Sequence, residues 1–223
     1  MELIEYPDRD MLMLGLADTL TAELAEALRH HERVSFSVPG GTTPGPVFDV
    51  LAEQALDWDR VFVVLNDERW VPEDSPRSNT ALLNKRLLVS KASVATLIPL
   101  YAPAAAPEDR IAELSQGLEG HLPLSVLLLG MGADMHTASL FPGADNLAAA
   151  LADDAPLLMS MRAEGAGEPR ITLTAPVLKG AMSTHILITG AEKRAALERA
   201  MQLPVEEAPV GAVLGQATVH WAE

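Results

Sequence analysis

The chain contains no cysteine. That excludes disulfides, a thiolate nucleophile and any zinc–thiolate site, and it suits a reducing compartment. Aromatic residues make up only 4%, so a core drawn from the 48% of hydrophobic residues must be packed from Ala, Val, Leu, Ile and Met. Every apolar run is too short or too interrupted to span a bilayer. The opening Met1-Glu2-Leu3-Ile4-Glu5 carries acids where a secretory leader carries positive charge, so a cytoplasmic location is expected. Positive charge is scarce: 16 Lys and Arg stand against 31 Asp and Glu, a net charge of −15. Nucleic acid and anionic membrane surfaces both demand a basic face, so neither is an expected partner. Acidity of this kind also serves solubility, and an anionic ligand would need a locally cationic pocket.

What is present is a punctuated alternation of apolar and helical segments. The 223 residues fit the range of one α/β domain, with no solenoid repeat, no low-complexity tract and no linker long enough to divide them. Short apolar runs predict strands over Arg33–Val38, Arg60–Leu65, Leu124–Leu129, Arg170–Thr174 and Thr184–Thr189. Helical patterns cover Met11–His30, Pro44–Ala55, Asn79–Ser90, Pro107–Glu119 and Glu192–Gln202, and Met11, Met13 and the neighbouring Leu read as core packing. Tyr101–Pro107 and Ala163–Pro169 read as surface loops. The expected architecture is an open, mostly parallel sheet with helices on both faces, Rossmann-like, over residues 1–223 as a single α/β domain. Ligands bind such sheets beyond the carboxyl ends of the strands, where four segments stand out.

After the first core strand, Pro39-Gly40-Gly41-Thr42-Thr43-Pro44-Gly45 joins a glycine turn to a helix start. Backbone N–H groups, Thr hydroxyls and the helix N-terminus there suit an anion such as phosphate, although a plain strand-to-helix turn has the same local pattern. The loop lacks a P-loop lysine and the dinucleotide-binding spacing, so no nucleotide cofactor is expected. After the second strand, Asn66-Asp67-Glu68-Arg69-Trp70 gathers acid, base and amide groups, and Arg77-Ser78-Asn79 follows. This suits a site or a solvated charged turn with Asn79 capping the next helix. The third segment, Gly130-Met131-Gly132-Ala133-Asp134-Met135-His136, sets a carboxylate two residues before an imidazole. Such a pair can orient a general base near neutral pH, and without a third ligand it makes no metal site. Arg170 and Lys193 complete the set as cations at strand edges. His30 and His31 read as exposed at a helix end and His185 as buried in a strand, while His220 fits either role.

At these residues the chain resembles the 6-phosphogluconolactonase family of the oxidative pentose phosphate pathway. The ordered set runs from Pro-Gly-Gly-Thr-Thr-Pro through Asp-Glu-Arg-Trp-Val-Pro and Ser-Asn to Asp134-Met135-His136-Thr137-Ala138-Ser139-Leu140-Phe141-Pro142, then Arg170 and Lys193. The resemblance implies a fold shared with glucosamine-6-phosphate deaminases, ribose-5-phosphate isomerases and bacterial sugar-phosphate sensor domains, so fold alone does not decide function. The deaminases have Asp-Gly-His-Ile-Ala-Phe-Asn-Glu-Pro at the third motif, and Phe141 stands where their glutamate belongs.

The resemblance further implies hydrolysis of 6-phospho-D-glucono-1,5-lactone with His136 as base and Asp134 orienting it, without cofactor or metal. Gly40, Gly41, Thr42, Thr43, Arg170 and Lys193 would bind the phosphate. Asp67 and Asn79 would serve the sugar hydroxyls or order the loop, with Arg69 or backbone N–H groups stabilising the oxyanion. A deaminase or isomerase and a non-catalytic sensor are the rival readings; a monomer and a homodimer are both compatible. Two residues depart from the family pattern. Met135 replaces a glycine, which requires an ordinary conformation there or some strain, and Arg77 replaces an acid, which adds positive charge near the site.

Overall fold

The alternating segments pair into a seven-stranded sheet, parallel throughout, whose strands run from edge to edge as Glu2–Glu5, Thr218–Ala222, Ser183–Thr189, Val126–Gly130, Val34–Val38, Val61–Leu65 and Thr96–Ile98. The computed structural model describes every residue, Met1–Glu223. These strands are β1 (Glu2–Glu5), β2 (Val34–Val38), β3 (Val61–Leu65), β5 (Thr96–Ile98), β6 (Val126–Gly130), β9 (Ser183–Thr189) and β10 (Thr218–Ala222). A second sheet of three antiparallel strands joins β4 (Asp67–Arg69), β8 (Arg170–Leu173) and β7 (Leu158–Met161), in the order β4-β8-β7. The run beginning at Arg170 is therefore a strand, as expected, but belongs to this small sheet and pairs with the charged segment after β3.

All five residues of β2 and the five central residues of β9 are buried, so both faces of the main sheet are covered. The covering helices are α1 (Arg9–His30), α2 (Gly45–Ala52), α3 (Asn79–Arg86), α4 (Ile111–Glu119), α5 (Leu147–Leu151), α6 (Ala175–Lys179), α7 (Gly190–Ala200) and α8 (Gly211–Leu214). Helix α1 starts where the Asp8 carboxylate accepts the Met11 N–H at 2.8 Å. It buries Leu12, Met13, Leu16, Ala17, Leu20, Leu24 and Leu28 along one stripe. Met11, expected in the core, lies off that stripe and is 51% exposed, as is Leu14 at 48%. Helix α3 is capped by Ser78, whose side chain accepts the Ala81 N–H, and not by Asn79. The helix expected from Pro107 is a short 3-10 turn over Pro107–Asp109 that breaks at Arg110 before α4 begins.

The strand order places the cleft. From β2 the chain steps outward through β3 and β5, then returns to β6 on β2's other side and steps outward again through β9 and β10. The direction of winding reverses between neighbours β2 and β6, so their following loops diverge and leave a crevice at their carboxyl ends. Those loops are Pro39–Pro44 and Met131–Phe141. Asn66, buried just past β3, ties the three strand ends together: its Nδ2 donates to the Leu128 carbonyl at 2.8 Å and its Oδ1 accepts from Ser37 Oγ at 2.6 Å.

Candidate active site

The first wall of the crevice is the loop after β2. Gly41 has φ +84°, a conformation that strains any residue with a Cβ. Gly40 passes so close to the Asn79 amide that a Cβ would overlap it. Helix α2 then starts without a side-chain cap, with Gly45 N–H donating to Thr42 O at 3.3 Å and Pro46 carrying no N–H.

The second wall is the loop after β6. Here the Asp134 Oδ1 lies 2.5 Å from His136 Nδ1 and 3.2 Å from the His136 backbone N–H, which it accepts. The turn is closed by Gly132 N–H to His136 O and Met135 N–H to Gly132 O, both at 3.0 Å. Gly132 must be glycine, because a Cβ would overlap both the imidazole and the carboxylate. Met135 adopts φ +67°, the left-handed region, so the departure from the family's glycine is carried as backbone strain. The strain is held by Val210 N–H donating to Met135 O at 3.1 Å and by Arg199 donating to Ala133 O at 3.2 Å. The hydrogen bond from His136 holds the Asp134 carboxyl below its ordinary range, against the opposing effect of burial. With Asp134 accepting at Nδ1, the neutral ring carries its proton there and leaves Nε2, which has no protein partner, free to accept one.

The roof comes from the small sheet. Residues Arg69 and Arg170 face each other in register across β4 and β8. Arg170 Nη1 lies 3.6 Å from Asp67 Oδ2, and its Nη2 donates to Ala166 O at 3.0 Å. Burial pushes its pKa down, with Asp67 opposing. Arg69 Nη1 donates to Arg77 O at 2.7 Å and to Asn79 Oδ1 at 2.8 Å. The Nε atoms of both arginines are buried without a partner, which marks them as donors awaiting one. Lys193, from α7, is half-buried and makes no ion pair; burial lowers its pKa, and Glu192 and Asp134 pull the other way.

Together these walls enclose a cavity of about 300 Å³. Its lining includes His136, Gly40, Gly41, Thr43, Asp67, Arg69, Asn79, Arg170 and Lys193, nine of the eleven residues that the sequence picked out. Asp134 stands behind His136, and Thr42 is exposed on an outer groove shared with Arg9, Asp10 and Leu14. Arg77 adds no free charge, because its guanidinium is clasped to Glu168. His185 and His220 are buried away from the cavity, bonded to each other at 3.0 Å.

Three contributors escaped sequence reasoning. Glu68 is fully buried and accepts from Arg69 N, Asn79 N, Thr80 N and Ser78 Oγ, fixing the start of α3 beside the cavity. Ser139 donates to Asp67 Oδ2 at 2.5 Å. Phe141, read only as the absence of an acid, packs its ring on His136. Nothing in local sequence marks Glu68 as buried, since its neighbours on both sides are charged.

Fold and site define an open α/β enzyme with a cationic crevice at its topological switch point and a carboxylate-oriented histidine beside it. The family described as glucosamine-6-phosphate isomerases/6-phosphogluconolactonase matches residues 7–221, and the chain belongs to it. It is 40% identical to a 6-phosphogluconolactonase of Mesorhizobium japonicum, over 97% of this chain and 93% of that one. It is likewise 40% identical to one of Rhizobium meliloti, over 100% and 98%. The crystal structure of a 6-phosphogluconolactonase from Shewanella baltica superimposes with a TM-score of 0.97 at 30% identity, covering 100% of this chain and 98% of that one. A monomeric glucosamine-6-phosphate deaminase shares the fold with a TM-score of 0.81 at 17% identity, over 100% and 98%.

Proposed function

We propose that this enzyme hydrolyses 6-phospho-D-glucono-1,5-lactone to 6-phospho-D-gluconate, the second step of the oxidative pentose phosphate pathway. The observation that carries the reading is the His136–Asp134 pair, at 2.5 Å, on the same cavity as the Gly40 loop, Arg170 and Lys193. The base and the anion anchor thus face one ligand. Membership of the family and the full-length likeness to curated 6-phosphogluconolactonases support the same chemistry.

In this mechanism the phosphate rests on the backbone N–H groups of Gly40, Gly41 and Thr43, with Arg170 and Lys193 balancing its charge. His136 Nε2 takes a proton from water as the water oxygen attacks the lactone carbonyl. Asp134 steadies the imidazolium so formed. The tetrahedral oxyanion accepts hydrogen bonds from Arg69 or a backbone N–H. Collapse breaks the bond to the ring oxygen, which leaves with the proton from His136, and the carboxylic acid so formed releases its own proton to solvent to become the carboxylate. Asn79 and Asp67 act chiefly by holding the arginines: the Asn79 amide accepts from Arg69 and donates to Asp67 O at 3.0 Å. Water, a base and an oxyanion donor suffice, so no step calls on a metal or cofactor. The reading places the enzyme in the cytoplasm with its sugar-phosphate substrate, and the net charge of −15 opposes nucleic acid as a partner.

The test is the rate of acid release from freshly generated lactone above the spontaneous rate in buffer, with unphosphorylated gluconolactone as control. A large acceleration confined to the phosphorylated lactone is expected, and His136→Asn should cut it by about 10²–10⁴-fold while inorganic phosphate still binds. Binding of sugar phosphates without turnover would replace the lactonase with a sensor, and ammonia release from glucosamine 6-phosphate would replace it with a deaminase.

A further inference from the structure

Phe141 contacts the two groups that the proposed reaction must hold apart. Its ring centroid lies 4.5 Å from that of His136, inclined at 43°, and 5.6 Å from Arg170 Cζ. The ring is only partly buried: part of it packs against the core and part lines the cavity. A chain of contacts returns it there. Thr137 Oγ1 donates to Gly130 O at 2.8 Å, anchoring the turn to the end of β6. Ala138 takes φ +49°, which reverses the chain at some cost for a residue with a Cβ. Ser139 is pinned twice, its N–H to Thr172 Oγ1 at 3.1 Å and its hydroxyl to Asp67, and Phe141 N–H donates to Ser139 O at 3.1 Å. Asp67 is the carboxylate that also faces Arg170, so the contacts close a circuit from Asp134 through His136, Phe141 and Arg170 to Asp67, Ser139 and back to Phe141.

We propose that Phe141 is a positioning residue that seats the imidazole of His136 and the guanidinium of Arg170 against one aromatic ring, setting the distance between proton transfer and phosphate anchoring. The electron-rich face of an aromatic ring attracts cations. Arg170 is a cation at rest and His136 becomes one when it takes the proton from water, so the ring supports the anchor in the ground state and the base in the transition state. An aliphatic side chain of similar volume would fill the space and offer neither attraction.

This inference rests on the lactonase reading, and its test includes measurements that do not. Phe141→Leu and Phe141→Tyr are compared with the unaltered enzyme for kcat and KM on the lactone, for affinity toward inorganic phosphate by calorimetry, and for the response of the His136 ring proton resonances to phosphate. Loss of the ring should lower kcat and weaken phosphate binding, each by about five- to tenfold. It should also uncouple the His136 resonances from phosphate binding, while Phe141→Tyr restores most of all three. A purely structural role would lower stability and leave these readouts of the folded protein within twofold, which overturns the proposal, as does a tyrosine variant as impaired as the leucine one. Should Phe141→Leu not fold, Phe141→Met takes its place with the same expectations. Should the unaltered enzyme not accelerate lactone opening, the lactonase reading fails, and the phosphate affinity and resonance response decide the role of Phe141.

Discussion

Four side chains outside the cavity form a hydrogen-bonded line through the core that makes the fold sensitive to acid. Tyr6 Oη lies 2.9 Å from His220 Nδ1, His220 Nε2 lies 3.0 Å from His185 Nδ1, and His185 Nε2 lies 2.8 Å from Glu23 Oε2, with Ser183 Oγ 3.1 Å from the same nitrogen. The Glu23 carboxylate accepts from His185 Nε2–H. The proton between His185 Nδ1 and His220 Nε2 can sit on either ring, and in both arrangements His220 donates one hydrogen bond and accepts the other, as a neutral imidazole does. Burial and, to a smaller extent, the charge of His185 together lower the His220 pKa from 6.5 to about 4, with Glu23 opposing in part. For Glu23, burial raises the pKa, yet the hydrogen bonds from His185 and Ser183 prevail and hold it below its ordinary value.

The unfolded chain protonates His220 near 6.5 and the folded chain only near 4. Between those values the unfolded state binds more protons, so stability is whole above about pH 6.5 and falls as acid is added. The full span corresponds to about 3 kcal/mol at 1.36 kcal/mol per pKa unit, most of which is gone by about pH 4.5, before Glu23 contributes much. Urea unfolding of the unaltered protein and of His220→Gln, at intervals from about pH 7.5 to 4.5, measures this. Glutamine keeps hydrogen-bonding capacity without titrating, so the stability difference between the two proteins should shrink by about 2 to 3 kcal/mol across the range. A difference that stays constant with pH would refute the neutral, buried assignment of His220.

Three substitutions near the cavity have defined outcomes. Glu68→Gln withdraws a buried carboxylate from three N–H groups and the Ser78 hydroxyl, and should cost about 3 kcal/mol or more in chemical denaturation. At Met135, with φ +67°, the usual preference for alanine reverses: Met135→Gly should be more stable than Met135→Ala by about 1 kcal/mol in thermal melts, since both lose the same side-chain packing. Gly132→Ala forces a Cβ between the His136 and Asp134 side chains, and should lower kcat by about 10²-fold in the lactone assay with phosphate affinity intact.

How far the sequence could be read depended on whether a residue's role is set by its neighbours in the chain. Five of the observed strands fall within a residue or two of the predicted ones, because their apolar runs and turn signals are local. β5 at Thr96–Ile98 has only three residues and leaves no period to detect, and β10 at Thr218–Ala222 mixes Thr, His and Trp because His220 is satisfied by His185 and Tyr6. The Arg170 strand was legible as a strand, but its antiparallel partners Asp67–Arg69 and Leu158–Met161 are set by tertiary pairing. At the site, the Asp134–His136 pair and the Gly40 loop could be found because each lies within one short turn. For Asn79 the rival reading as a helix cap does not hold: Ser78 is the cap, and Asn79 bridges Arg69 and Asp67, a partnership set by tertiary contacts. Arg77 looked like added positive charge because its partner Glu168 is distant in sequence.

The same separation of near from far governs how so acidic a chain holds an anion. The charged groups lining the cavity are Arg69, Arg170 and Lys193 against the single carboxylate of Asp67, a local excess of cations inside a protein of net charge −15. Electrostatic reach is about 30 Å at 0.01 M salt, 10 Å at 0.1 M and 3 Å at 1 M. At the lowest salt a phosphate in the cavity feels the repulsion of the whole chain; near 0.1 M it feels chiefly the three cations; near 1 M the attraction of these weakens too, though less than that of exposed charges. Affinity for inorganic phosphate, measured by calorimetry over this range, should therefore rise and then fall, with its maximum near about 0.1 M. Lys193→Gln should weaken binding at every salt concentration and flatten the decline at the upper end, leaving the rise at the lower end in place because the distant acids cause it. An affinity that falls steadily from the lowest salt would mean that the net charge does not reach the cavity, and that the local cations alone set the field the substrate meets.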